Sequence, residues 1–75
     1  MRRVGEVVRV AQHVAVVRSP DESYPDIGRS VVDENLDDLG RVVDVFGPVE
    51  RPYLAVSPDE DVHLPALVGT KLYAR

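Results

Sequence analysis

A small barrel of short β-strands is the architecture this chain predicts, and three features of the sequence point to it. Valine-rich runs with occasional tyrosine or phenylalanine alternate with clusters of proline, glycine, aspartate and serine. Such side chains fit a pleated, half-buried surface, and the clusters supply turns. No segment sustains the apolar period of a helix. The chain has 75 residues and no cysteine, so neither a disulfide framework nor a thiolate metal site can support it. A domain this small buries a limited core. Closing its sheet removes exposed strand edges, which otherwise pair with other chains. The expectation is an all-β protein, one domain over residues 1–75, folded as a closed or nearly closed barrel.

The elements are read in chain order. Met1, Arg2 and Arg3 form a short basic end that is expected to fray. Residues 4–11 alternate as a first strand, with Val4, Val8 and Val10 on one side and Glu6 between them. Gln12 and His13 make a tight connection, and residues 14–18, nearly all apolar, form a central second strand. Residues 19–28 are a loop of turn-forming residues, with Tyr24 and Ile27 placed to pin it to the body. A short third strand spans 30–33. Residues 34–38 make an acidic bend anchored by Leu36. Strands at 41–46 and 53–57 come next, then a second acidic loop at 58–65, a turn at 67–69 and a sixth strand at 71–73.

Residues 40–56 organise the rest. Pro48 and Pro52 each fix a φ angle and remove a backbone donor. They also push Gly47 and Arg51 toward extended geometry. The loop between the two strands therefore has few conformations and loses little entropy when a partner grips it. Alternation along the strand before it places Arg41, Val43 and Val45 on one face and Val42, Asp44 and Phe46 on the other. Both faces carry large apolar groups, so something covers the second face. A loop or terminal strand of the chain itself is one candidate; a partner protein is the other.

The formal net charge is −4 and the pI is about 4.9, unlike the basic surface of a stand-alone nucleic-acid binder. Lys71 is the only lysine. Abundant acids with scarce lysine fit either a high-salt cytoplasm or ordinary compositional drift. No apolar run reaches the length of a membrane helix and no signal-peptide pattern opens the chain. The expected location is the cytoplasm, away from membranes.

Little in the sequence suggests catalysis. His13 and His63 lack metal-ligand spacing, and a site would need the fold to bring them to Asp59 or Asp61. Ser19, Ser23, Ser30 and Ser57 show no sign of a nucleophile's setting. The glycines are isolated, so no phosphate-cradling loop is present. Most carboxylates sit in loop runs. Asp44 differs, being flanked by valines on a strand, and either orients the 46–49 loop, meets a partner cation or simply faces solvent. The aromatics Tyr24, Phe46, Tyr53 and Tyr73 lack basic interleaving; Arg51 beside Pro52 and Tyr53 is the best local stacking candidate. The residues favour a binding module, without metal or cofactor, over an enzyme.

The stretches Val4-Gly5-Glu6-Val7-Val8, Gly40 through Val49, Pro52 through Val56 and Val68 through Tyr73 resemble a known family. It is the archaeal Gar-type subunit of the box H/ACA ribonucleoprotein, the RNA-guided pseudouridylation particle. The resemblance spans nearly the whole chain, and its most specific block is Gly-x-Val-x-Asp-Val-Phe-Gly-Pro-Val. It implies a small six-stranded antiparallel Greek-key barrel of the translation-factor/reductase-isomerase type. It implies a non-catalytic subunit that docks on the pseudouridine synthase and promotes substrate RNA loading or product release. RNA would be met mainly through the complex. The matching positions carry Val42, Asp44, Val45, Phe46, Gly47, Pro48, Val49, Pro52 and Tyr53 over as the docking region. The chain has no glycine/arginine-rich tail, so tail-mediated contacts do not transfer. A related assembly factor and a translation-factor-like barrel that binds RNA directly are the rival readings.

Overall fold

The computed structural model describes residues 2–75. Six strands, β1 (Arg2–Ala11), β2 (Val14–Arg18), β3 (Ser30–Val32), β4 (Asp38–Phe46), β5 (Tyr53–Pro58) and β6 (Lys71–Ala74), close into a barrel in the order β1-β2-β5-β4-β3-β6. Every neighbouring pair is antiparallel, so the expected barrel class is the observed one. The interior is almost wholly aliphatic: Val4, Val7, Val17, Val31, Val42, Leu54, Val56 and Leu72 form the core, with alanines filling the narrow places. The narrow interior excludes the rings. None of the chain's aromatic residues is in the core cluster, which leaves them for the surface.

Two departures from simple alternation explain where the sequence reading missed. β1 carries bulges between Arg3 and Gly5 and between Val7 and Arg9. Each adds a residue that shifts the facing of the positions after it. Val7, not Val8, therefore joins Val4 inside, and Val8 is exposed. β4 has the same device between Val42 and Asp44. Val42 and Val45 both turn inward, while Val43 is the extra, outward residue and Asp44 and Phe46 face out. The apolar groups that seemed to need a second cover are thus divided by the bulge.

The strands also run longer than expected at the start. Arg2 and Arg3 are paired with Ala74 and Tyr73 of β6 rather than frayed; Met1 lies outside the described residues. Barrel closure recruits them, because β6 needs a partner along this edge. β4 begins at Asp38, passing Gly40, where a side chain would run into the Ser57 carbonyl. Only glycine lets β4 and β5 approach so closely at this corner. At the β1–β2 hairpin, Gln12 and His13 both have positive φ, 50° and 66°, as a two-residue turn that follows the strand twist requires.

The loops are held by polar contacts where apolar anchors were expected. In the β2–β3 loop, Tyr24 and Ile27 are exposed and Pro25 is buried instead. Ser19 is fully buried; its hydroxyl donates to the Asp21 carbonyl at 2.7 Å, and its N–H donates to the Pro52 carbonyl at 2.9 Å. In the acidic bend, the Asp33 carboxylate accepts from the Asn35 and Asp37 N–H groups. With that clamp in place Leu36 is free to be exposed, and it is. The second acidic loop ends in a short 3-10 helix, Leu64–Leu67, which the sequence did not signal. Val62, Leu64 and Leu67 pack against the core there, closing one end of the barrel.

Candidate partner-binding site

The site begins with two cross-strand pairs. Arg18, at the end of β2, lies opposite Tyr53, at the start of β5. Tyr53 lies opposite Phe46, at the end of β4. Residues so paired on one face of a sheet touch. The Phe46 and Tyr53 rings stack with centroids 5.6 Å apart and planes 20° from parallel. The Arg18 guanidinium carbon lies 4.5 Å from the centre of the Tyr53 ring, and Nη1 donates to the Tyr53 hydroxyl. Aromatic stacking and a cation over a ring each contribute about 0.5–1.5 kcal/mol. Arg18 Nε is buried with no hydrogen-bond partner, and Arg18 forms no ion pair among the described residues. Its charge is held by the ring.

Beyond Phe46 the chain turns through the β4–β5 loop. Gly47 has φ near +89°, and a Cβ there would press on the Tyr53 ring at 2.9 Å. The close approach therefore needs glycine. The base of the loop is tied down twice: Arg51 Nε donates to the Ser19 carbonyl at 3.1 Å, and the Pro52 carbonyl accepts from Ser19. Pro52 is buried. The tip is the opposite, with Val49 at 81% exposure. A hydrophobic tip on a tethered, proline-stiffened loop has little freedom left to lose on binding.

Between this loop and the β2–β3 loop lies an open groove of about 350 Å³. Val45, Phe46, Gly47, Pro48, Val49 and Pro52 line one side; Glu22 and Tyr24 come from the other loop. The groove thus gathers six of the nine expected docking residues. The other three lie elsewhere. Val42 is fully buried and supports β4 from inside the barrel. Tyr53 is half-buried beneath Phe46. Asp44 is exposed on the outer sheet face, opposite Ala55, where its carboxylate accepts from the Val45 N–H at 2.8 Å. Among the described residues no group of His, Cys, Asp and Glu has the arrangement to hold a metal ion.

A family model described as Gar1/Naf1 RNA binding region matches residues 1–75. The chain belongs to this family. No curated protein matches it. The family is one of non-catalytic ribonucleoprotein components, so this Gar1-type chain has a role in an H/ACA-type particle or in RNA binding.

Two contributors to this site, Arg18 and Glu22, were not picked out by the sequence. Arg18 supplies the stacked cation in place of Arg51, whose guanidinium is spent on the Ser19 carbonyl. Thirty-five residues separate Arg18 from Tyr53, so no local pattern links them. Glu22 reads as an ordinary loop residue, and Tyr24 reads as an anchor of its loop to the body; the ties of Ser19 to Pro52 and Arg51 hold that loop beside the β4–β5 loop.

Proposed function

We propose that this chain is a non-catalytic subunit of the H/ACA ribonucleoprotein that docks on the catalytic domain of the pseudouridine synthase. In that place it promotes substrate RNA loading and product release during rRNA pseudouridylation, and so ribosome biogenesis. One observation carries the docking reading. The chain's single phenylalanine stands 39% exposed at a strand end, beside a stiff loop whose tip valine is almost bare. Aromatic groups set in such patches are the usual energetic anchors of protein interfaces. RNA is met mainly through the complex, because a net charge of −4 repels phosphate.

A second reading, direct RNA contact, draws on the family description and on the Arg18–Tyr53–Phe46 stack. Calorimetry separates the two. The chain is titrated with the synthase alone and with guide and substrate RNA alone. The expected result is a saturable synthase complex and only weak RNA binding. Submicromolar RNA binding with no synthase complex would reverse the assignment.

A further inference from the structure

The groove beside Phe46 has a chemistry more specific than apolar. Among its lining residues only Glu22 is charged, and Glu22 forms no ion pair among the described residues. Arg2 reaches the same loop but donates to the Ser23 hydroxyl. Phe46 lines the same groove. One face of its ring rests on Tyr53, which on its other side carries Arg18 from the neighbouring strand. The stack ends at Phe46, which is 39% exposed and lines both this groove and a shallower one shared with Arg9 and Asp44 on the outer sheet face.

We infer that the groove receives an arginine side chain of the partner protein, its guanidinium stacked on Phe46 and paired with Glu22. The inference rests on the docking reading and names the partner chemistry at the same site. An arginine head is flat, weakly hydrated and always charged, so it both stacks on a ring and offers a carboxylate two parallel donors. One such head suits both the ring and the carboxylate that line this groove. A lysine ammonium can pair with Glu22 but has no plane to stack. The chain already uses the same contact one step along, where Arg18 lies on Tyr53. A nucleotide base could stack on Phe46, but its phosphate would meet Glu22 and a chain of net charge −4.

The test uses the full chain, isotopically labelled and followed by NMR. It is titrated separately with N-acetyl-arginine methylamide, the lysine counterpart and uridine monophosphate. The arginine amide is expected to shift the Glu22, Tyr24, Phe46 and Val49 resonances, and the lysine amide to shift them several-fold less. Glu22→Gln should weaken arginine-amide binding by about threefold to fivefold, as for an exposed ion pair. Phe46→Leu should erase the preference for arginine over lysine, with the dispersed spectrum showing that the barrel persists. Equal response to arginine and lysine, no response in the groove, or a groove response to the nucleotide alone overturns the inference. So does self-association that occupies the groove with a second copy.

A second arm measures synthase binding by calorimetry, with Glu60→Gln in the remote acidic loop as control. Weaker binding for Glu22→Gln but not for Glu60→Gln supports the inference. Unchanged binding for both overturns the guanidinium pairing and leaves docking intact. A wild-type chain that ignores the synthase but still seats the arginine amide removes the docking reading and leaves the arginine preference standing.

Discussion

Phe46 and Leu54 sit on adjacent strands, in residues paired one position from each other, yet they do opposite work. Val45, not Phe46, lies across from Leu54, and Leu54 is fully buried while Phe46 faces out. Truncating Leu54 to alanine leaves a cavity in the core and should cost about 2–5 kcal/mol. Thermal melting should show a collapse, or no cooperative transition at all. Phe46→Ala should behave differently. It removes one stacking partner of Tyr53, worth about 1 kcal/mol, so the melting temperature should fall by roughly 5 °C. Affinity for the synthase should fall about thirtyfold or more, the consequence of losing an anchor of about 2 kcal/mol. A collapsed melt for Phe46→Ala, or unchanged affinity, would remove the ring from the interface.

At the scale of elements, the bulge in β4 and the loop after it determine what the surface offers. Gly40 sets where β4 crosses β5, because a Cβ there collides with the Ser57 carbonyl. Gly28 also has positive φ, but open space surrounds it. Alanine at Gly28 should therefore cost only the backbone strain, about 1–2 kcal/mol. Alanine at Gly40 should cost clearly more, since β4 and β5 must move apart. Denaturant titration of the two variants checks the order; equal losses would mean that close approach at Gly40 is unimportant. In the loop, Pro48→Gly should cost about 1 kcal/mol of stability, chiefly by freeing the unfolded chain, and should weaken synthase binding by freeing the Val49 tip. The measurement is the same calorimetric titration, with the loss expected in the entropy of binding.

For the whole molecule, charge and apolar surface are separated along the barrel. The start of β4 lies in an acidic basin with Asp33, Asp37, Asp38, Asp59 and Asp61. The end of β4 carries Phe46 and the loop. A nine-residue strand spaces these regions by roughly 25 Å. Phosphate is repelled at one end, while the groove at the other presents rings and one carboxylate, Glu22. The isolated chain should accordingly bind RNA weakly and without sequence preference, as anisotropy titrations at moderate salt will show. It should also give no conversion of uridine to pseudouridine with guide and substrate RNA in the absence of synthase. Turnover above buffer background would contradict the non-catalytic reading.

Local chemistry was enough to read six strands and the Gln12–His13 turn. Strand propensity, proline and turn residues act over a few neighbours, so their effects are written in the order of the residues. The resemblance in residues 40–49 put the expected docking region on the loop that lines the groove. What the order of residues could not carry was phase and company. Bulges at Val8 and Val43 leave Val8 outward and turn Val45 inward against simple alternation. Arg18 and Glu22 gained their places only because β2 pairs with β5 and Ser19 ties two loops together. Leu36 and Ile27 look like anchors in the sequence, yet hydrogen bonds to the Asp33 carboxylate and between backbone groups hold their loops. These outcomes depend on closing the sheet on itself. Closure is a property of all six strands at once, and no single stretch of sequence contains it.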